Sequence, residues 1–351
     1  MKFHINGRFL TQNLTGVQRF AYELTSNIIK RNGNVTVITP NSNLIPYDIE
    51  TERIIKTGNF KSHLWEQTDL RFFSVRQKGS LLINLGNTAP MYFRKQVITI
   101  HDLSVFTNPK WFSKTFSTVY KTLLPNIAKY SEKIITVSEF SKSEIVRHLQ
   151  VSPSKIEVIY NAVSPEIKPD LNVINPKNSY GQYILAVSSI DPRKNLPRLI
   201  EAFQNLKNKD LNLVIVGASN SIFNQSVVRP TDSEQIIFTN RVSNSELASL
   251  YMNAVCLVFP SLYEGFGLPP IEAMKMGCPV ITSNNSSLPE ICGDAAYYIN
   301  PTSTQEITAA INEMLTDEKL RNDLKMKGEK RSAFFNWSES SLKLLTIIEK
   351  S

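Results

Sequence analysis

Phe259-Pro260-Ser261-Leu262-Tyr263-Glu264-Gly265-Phe266-Gly267-Leu268-Pro269-Pro270-Ile271-Glu272-Ala273 is the stretch from which the fold of this 351-residue chain is read. The apolar run ending at Phe259 reads as a buried strand. A turn with two glycines follows, and Pro269-Pro270 opens a helix at positions where a missing backbone donor costs least. Strand, loop and helix N-terminus together form the repeating unit of a parallel sheet covered by helices. Gly265 and Gly267 let the backbone approach a ligand closely, and the free amides and dipole of a helix start favour an anion such as a diphosphate.

The same alternation extends outward in both directions. On the C-terminal side and immediately before, strands are expected at Tyr183 to Val187, Leu213 to Val216, Ile236 to Phe238, Val255 to Phe259, Val280 to Thr282 and Ala296 to Ile299. A first set is expected at Phe3 to Asn6, Val35 to Thr39, Leu81 to Asn84, Val97 to His101, Ile134 to Ser138 and Ile156 to Tyr160. Val17, Phe20, Ala21, Leu24, Ile28 and Ile29 recur at the helical period and form the buried face of the first helix. Between the two sets, Pro165, Pro169, Pro176 and Gly181 interrupt all periodicity, so residues 164–181 read as a linker. The expected fold class is therefore α/β with two Rossmann-like domains, 1–165 and 166–335. A final helix within 336–351, about Glu339 to Lys350 after a Ser338 cap, is able to pack on either domain. Doubly wound sheets bind ligands outside the carboxyl ends of their strands, so the motifs there carry the function.

Composition narrows the class further. The chain is 42% hydrophobic and 20% charged, which is globular rather than disordered, and its formal net charge of +8 favours anionic partners. No basic start followed by a long apolar stretch is seen, nor any run of the roughly 20 apolar residues a bilayer-spanning helix needs, so a cytoplasmic location is expected. Cys256, Cys278 and Cys292 lack CxxC pairing and are odd in number. They read as small buried hydrophobes rather than as disulfide or zinc ligands.

Four segments at strand ends carry the chemistry. Glu264 on the loop and Glu272 in the helix can each accept two strong hydrogen bonds from hydroxyls, while a helix-terminus role for Glu272 stands level with that reading. Arg193 and Lys194, in Val187-Ser188-Ser189-Ile190-Asp191-Pro192-Arg193-Lys194-Asn195, follow the first strand of the second domain. Adjacent cations there can neutralise a diphosphate leaving group as charge develops; a solvated basic turn is the alternative. Gly16, in Thr15-Gly16-Val17, precedes a helix and can present its backbone to phosphates, or serve as a plain turn glycine. His101, beside Asp102 after the strand Val97 to Ile100, can bond a sugar hydroxyl or stabilise a transition state, or be structural.

Taken together, these residues resemble the retaining, GT-B-fold glycosyltransferases of family 4, over nearly the whole chain. The most specific element is the family's acidic pair, a Glu, seven residues and a second Glu, here Glu264 and Glu272 within EGFGLPPIEA, with Ser261, Gly265, Phe266 and Gly267 in pattern. The resemblance implies two facing Rossmann-like domains. It implies that Glu264 lies against the donor sugar, that backbone amides of Gly265, Phe266, Gly267 and Leu268 meet sugar or phosphate, and that Glu272 binds the ribose. By the same match Arg193 and Lys194 are the basic pair, Gly16 the N-terminal glycine loop and His101 the active-site histidine, so that His101, Glu264, Arg193 and Lys194 form the catalytic set. Arg241-Val242-Ser243, before Glu246-Leu247, matches the nucleobase-contacting turn. Thr15 stands where the commoner form of the loop has a second glycine. No Asp-x-Asp closes a strand, and Asp232-Ser233-Glu234 reads as a surface loop, so neither metal nor cofactor is expected.

The implied activity is transfer of a hexose-type sugar, with retention, from a UDP-, GDP- or dTDP-sugar to a saccharide acceptor carried on a lipid, as in polysaccharide, lipopolysaccharide or O-antigen assembly. His63-Leu64-Trp65-Glu66-Gln67 and Leu85-Gly86-Asn87-Thr88-Ala89-Pro90 resemble phrases of polysaccharide-cluster members and read either as acceptor-side or as packing segments. The stretch 108–133 interleaves Lys110, Lys114, Lys121 and Lys129 with Trp111, Phe112, Phe116, Tyr120 and Leu123. It reads as peripheral contact with an anionic membrane at the inner face of the cytoplasmic membrane, or equally as a half-buried surface helix. Two rivals remain: a sugar-nucleotide epimerase on the same fold, and a noncatalytic nucleotide-sugar-binding protein. A dehydrogenase lacks its G-x-G-x-x-G, and no nucleic-acid partner is expected without a denser basic stripe.

Overall fold

The computed structural model describes residues 1–45, 48–170, 176–189, 191–217 and 233–351. Two compact units are formed. Unit 1 comprises Met1–Thr107, Ser117–Asn161 and Asn336–Ser351; unit 2 comprises Asn108–Phe116 and Ala162–Phe335.

Unit 1 is a seven-stranded parallel sheet of β1 (Lys2–Asn6), β2 (Val35–Pro40), β3 (Ile54–Thr57), β4 (Ser80–Asn84), β5 (Gln96–Thr99), β6 (Lys133–Thr136) and β7 (Ile156–Val158), in the order β3-β2-β1-β4-β5-β6-β7. β3 was not expected from the sequence. It is an edge strand with no buried residue, so it lacks the alternation by which half-buried strands are recognised. Unit 2 is a six-stranded parallel sheet of β8 (Gln182–Val187), β9 (Leu211–Val216), β10 (Ile236–Thr239), β11 (Leu257–Phe259), β12 (Val280–Ser283) and β13 (Tyr297–Ile299), in the order β10-β9-β8-β11-β12-β13. In each sheet the winding direction reverses once, between β1 and β4 and between β8 and β11. Such a reversal leaves a crevice at the carboxyl ends of the two strands, the usual ligand position in open parallel sheets.

The cores follow from the pattern. Phe20, Ala21, Leu24 and Ile28 of the Gly16–Arg31 helix are fully buried, as their spacing requires. In unit 2 the Leu196–Gln204 helix packs Leu199, Ile200 and Phe203 into the same cluster as Ile184, Leu213 and Val258. All three cysteines are buried and free. The C-terminal helix spans Trp337–Glu349 and packs in unit 1, Trp337 edge-on to Phe20 at 6.1 Å. It begins earlier than expected because Asn336, not Ser338, is its cap: Asn336 accepts from the amides of Ser338 and Glu339. Within the stretch read as a linker, residues 171–175 lie outside the described residues and Pro176–Tyr180 is a short helix.

The 108–133 stretch divides into two pieces. Its first part belongs to unit 2, where Trp111 lies 6.5 Å from the Tyr263 ring and the Arg193 guanidinium 5.7 Å from the Phe112 ring. Its second part, the Lys114–Tyr130 helix, buries Leu123, Leu124, Ile127 and Ala128 in the core of unit 1. Most of its apolar side chains are thus consumed by packing rather than offered to a membrane. Among the described residues no helix is long and apolar enough to cross a membrane.

Candidate functional site

In unit 2 the turn after β8 is built to present two cations. Asp191 caps the short helix Pro192–Lys194, accepting from the Arg193 amide at 2.9 Å. Its other oxygen accepts from both Arg193 Nε at 2.9 Å and Nη2 at 2.7 Å, two donors converging on one oxygen, which fixes the guanidinium plane. Asn195 then adopts a left-handed conformation and donates to the carbonyls of Pro260 and Pro301, tying the turn to the loop after β11. The Leu262 amide donates to the Arg193 carbonyl at 2.7 Å, which closes the same junction.

Across that junction Lys194 Nζ lies 2.5 Å from Glu264 Oε1 and 5.0 Å from the centre of the Phe259 ring. An ammonium has three donors, so one bond to Glu264 leaves two for a ligand. The Glu264 loop is held from below by the segment after β12. Ser286 accepts from the Glu264 amide, and the Ser287 hydroxyl lies 3.0 Å from the Glu264 carbonyl and 2.8 Å from that of Phe266. Because a trans peptide points its N–H opposite to its carbonyl, the amides of Gly265 and Gly267 are turned away from Ser287. The Phe266 side chain is itself buried edge-on against Phe335 at 5.4 Å, so only its backbone faces the loop surface.

Gly267 has φ +105° as the cap of the Leu268–Lys275 helix, and a Cβ there would sit 2.8 Å from Leu288 Cδ2. No other residue fits both conditions. Pro269 and Pro270 occupy the first turn of that helix, as expected. Glu272 is buried one turn in and accepts from the Tyr251 hydroxyl at 3.0 Å. Burial and the Glu272 charge raise the Tyr251 phenol well above its ordinary value, so it stays a donor. Tyr251 lies on the Asn244–Asn253 helix, which Ser243 and Glu246 start with a reciprocal capping box. Arg241, exposed, and Val242, packed on the core, immediately precede that cap. Ser188 and Ser261, at the ends of β8 and β11, bury hydroxyls with no hydrogen-bond partner among the described residues. Gly217 ends β9 at φ +153°, where a Cβ would meet the Ser188 carbonyl at 1.7 Å.

Asp191, Tyr251, Ser286 and Ser287 were missed by sequence reasoning. The signal for the serines was present: Asn284-Asn285-Ser286-Ser287 is a polar run at the carboxyl end of a buried strand. Tyr251 carried none, because nothing in a helical pattern says which buried tyrosine faces a carboxylate. Asp232 lies outside the described residues. Among the described residues no group of three or more His, Cys, Asp or Glu is arranged to hold a metal ion. A groove of about 540 Å³ in unit 2, lined by Gly181, Gln182, Asn253, Arg321 and Lys325 among others, opens at the opposite edge of the sheet and holds none of the residues above.

In unit 1, Gly16 is the first residue of its helix. The Thr15 cap makes no side-chain bond to the backbone, its hydroxyl being engaged with Gln18. The amides of that first turn therefore take no side-chain cap from Thr15. His101 lies beyond β5, which ends at Thr99. Its Nε2 is 3.0 Å from the Leu85 carbonyl, and since a carbonyl only accepts, Nε2 carries the proton. Burial holds the imidazole below its ordinary value, against the opposing pull of the Leu85 carbonyl and Asp102, so the ring is neutral near pH 7. Phe20 meets it edge-on at 4.9 Å.

The two phrases at 63–67 and 85–90 meet at the carboxyl ends of β1 and β4. Glu66, fully buried, is 3.1 Å from Arg8 Nε, 3.2 Å from His63 Nδ1, 2.8 Å from Asn6 Nδ2 and 2.8 Å from Thr88 Oγ1. Burial raises its carboxyl, but Arg8, His63 and Asn6 outweigh it and leave it below its ordinary value. Asn6 also donates to Asn84, and Asn87 accepts from the His101 amide. The sequence reading had no place for Asn6, Arg8 or Asn84, since they are brought to Glu66 only by strand order.

The geometry can be set beside known proteins. Residues 14–167 match the family described as Glycosyltransferase Family 4, and residues 168–331 that described as Glycosyl transferases group 1. The chain is 33% identical over 260 residues to the O-antigen chain mannosyltransferase B of Escherichia coli, covering 71% of this chain and 68% of that protein. It is 34% identical over 234 residues to the O-antigen chain mannosyltransferase RfbU of Salmonella typhimurium, covering 66% of this chain and 64% of that one. In fold it resembles the sucrose-phosphate synthase of Thermosynechococcus elongatus, with a TM-score of 0.76 at 18% identity over 99% of this chain and 98% of that chain.

Proposed function

The chain belongs to the family 4 glycosyltransferases, and on that premise we propose that it is a retaining, metal-independent hexosyltransferase that carries mannose from a nucleotide sugar to a lipid-linked saccharide in O-antigen or related polysaccharide assembly. The observation that carries the reading is the Lys194–Glu264 pair, set beside an Arg193 locked by Asp191, at the point where the strand order of unit 2 reverses. In this reading Arg193 and Lys194 meet the donor diphosphate and neutralise the charge that grows on it as the glycosidic bond breaks, which removes the need for a divalent cation. The amides of Gly265 and Gly267 and the start of the Leu268–Lys275 helix add donors to the same anion or to the sugar. Glu264 takes sugar hydroxyls, Glu272 the ribose, Arg241 and Val242 the base, and Gly16 the phosphates. His101, neutral and with Nε2 protonated, offers Nδ1 as an acceptor to a donor-sugar hydroxyl. The named relatives are mannosyltransferases of O-antigen chains, which is the support for mannose and for a saccharide acceptor. A lipid-carried acceptor places the enzyme at the cytoplasmic face of the membrane.

A thermal-shift series with UDP-, GDP-, dTDP- and ADP-sugars, run in EDTA on the native protein and on Glu272→Ala, tests the donor site. Stabilisation by one nucleotide class that the variant loses is the expected result, through linkage of binding to folding. No stabilisation by any donor would overturn the reading. Product NMR from a reaction in EDTA tests the rest: an anomeric centre inverted relative to the donor, or transfer abolished by EDTA and restored by metal, would refute retention or metal independence respectively.

A further inference from the structure

In unit 2 the segment 285–288, which follows β12, runs beside the loop 262–267 and meets it in order. Asn285 Nδ2 donates to the Leu262 carbonyl at 3.2 Å, and Ser286 Oγ accepts from the Glu264 amide at 3.1 Å. Leu288 closes on Gly267, where a Cβ would sit 2.8 Å from its Cδ2. The Ser286 hydroxyl in turn donates to Asn285 Oδ1 at 3.3 Å, so one unbroken chain of bonds runs from the Glu264 amide back to the Leu262 carbonyl. Ser287, fully buried, completes the register by setting its hydroxyl between the carbonyls of Glu264 and Phe266. Neither serine is used as its position would suggest. Ser287 stands at the N-cap of the Leu288–Cys292 helix, where a serine ordinarily accepts from an amide of the first turn, yet it makes no such bond. Ser286 has φ +52°, a left-handed backbone that glycine adopts at less cost. A glycine there would carry no oxygen for the Glu264 amide.

We propose that Ser286 and Ser287 are positioning residues for transfer, acting through Glu264 and through the peptide between Phe266 and Gly267. Ser286 holds the amide of Glu264 and Ser287 its carbonyl, so the Cα–Cβ bond, and with it the carboxylate that meets Lys194, has one direction. Ser287 also holds the Phe266 carbonyl inward, which turns the Gly267 amide outward. Without that hydroxyl the carbonyl is buried with no donor, a costly state that inversion of the peptide relieves. Inversion reverses the sign of φ at the following residue, and Gly267 accepts either sign. An inverted peptide presents a carbonyl oxygen where the N–H had been, and an anionic donor is then repelled instead of held. The proposal rests on the reading of this loop as part of the donor site. The two hydroxyls themselves are assigned no contact with the donor.

The test joins hydrogen exchange to kinetics on the full chain and on Ser287→Ala, Ser287→Thr and Ser286→Gly. Ser283→Ala is the control, since it removes a buried β12 hydroxyl that has no partner among the described residues. Exchange of the peptide 260–268, followed by mass spectrometry without donor, should be faster in Ser287→Ala and Ser286→Gly and native in Ser283→Ala. In transfer assays kcat should fall by about 10- to 100-fold in Ser287→Ala, the loss that follows a misplacement of roughly 1 Å among reacting groups. Ser287→Thr, which keeps the hydroxyl, should recover most of that rate. Ser286→Gly relieves the left-handed backbone, so it should lose transfer with little change in thermal midpoint, and it carries the test if Ser287→Ala does not fold. Native exchange in Ser287→Ala overturns the proposal and leaves the transfer reading standing. So does a kcat loss of equal size in Ser283→Ala, or a Ser287→Thr variant with native midpoint that is as slow as Ser287→Ala. A native chain that transfers no sugar from any donor would instead sink the transfer reading, with the hold of the serines on the loop still decided by exchange.

Discussion

The Lys194 ammonium reaches the Glu264 carboxylate at 2.5 Å, joining two loops 70 residues apart at the carboxyl edge of one sheet. Both side chains are largely out of water, 14% and 12% exposed, so each screens a charge that the fold would otherwise leave buried. The pair therefore serves the structure, and under the proposed function the chemistry too; the two contributions separate in variants.

Lys194→Met and Glu264→Gln should each lower kcat/KM by about 100- to 1,000-fold, the usual loss when one preorganised charge at a transition state is removed. Each should also cost about 1–3 kcal/mol of stability, because one member of the pair is left without its partner. The double variant should be less destabilised than the sum of the singles. Steady-state kinetics and urea denaturation on the same four proteins measure both; additive stability losses would mean that the two side chains are not coupled.

Tyr251→Phe removes the hydroxyl that donates to Glu272 Oε2 and leaves the ring packed. If Glu272 binds the donor ribose, this frees the carboxylate to shift, and KM for the donor should rise about tenfold with kcat little changed. A drop in kcat at unchanged KM would place Glu272 in the chemical step instead.

In unit 1, Glu66→Leu leaves Arg8 buried against Thr88 and His63 without its counter-ion. The expected loss is about 3–5 kcal/mol, read from the urea midpoint. Arg8→Met with Glu66→Leu should recover part of it, since the uncompensated charge is then gone.

Acid should unfold the chain in two stages. His4 and His101 are both held below their ordinary 6.5 chiefly by burial, so in each case the unfolded chain takes up the proton first. Their contribution is complete above 6.5 and declines as the pH falls below it. Glu66, held below its ordinary 4.5, contributes fully above that value and is lost as the pH falls through its folded value. His4 has neither ring nitrogen bonded among the described residues, so His4→Leu should flatten part of the first stage while leaving the second. Denaturation midpoints that stay level from neutrality down to 4.5 would refute the histidine assignment.

Much of the architecture was legible because burial is periodic. Twelve strands were expected and each has a counterpart displaced by no more than two residues at either end, whereas β3, with no buried face, left no trace. The loop from Glu264 to Glu272 was legible for a different reason. Gly267 and the two prolines are backbone requirements, and those are written directly in residue type. The supports of the loop were not. Ser287 acts through an oxygen any serine has, and Asp191 through a local turn that only the position of Arg193 makes meaningful.

By itself the amino-acid sequence determined two α/β domains, the loops that follow their strands, and which residues there carry charge, since periodicity and glycine placement act over a few residues at a time. Tertiary structure alone decided which polar and charged groups meet: Lys194 with Glu264, Tyr251 with Glu272, and Arg8 with Glu66. Those pairs depend on the order in which parallel strands lie in the sheet. Strand order is set by the packing of the crossover helices and by the burial of whole faces, a property of the assembled core that no local stretch of chain contains.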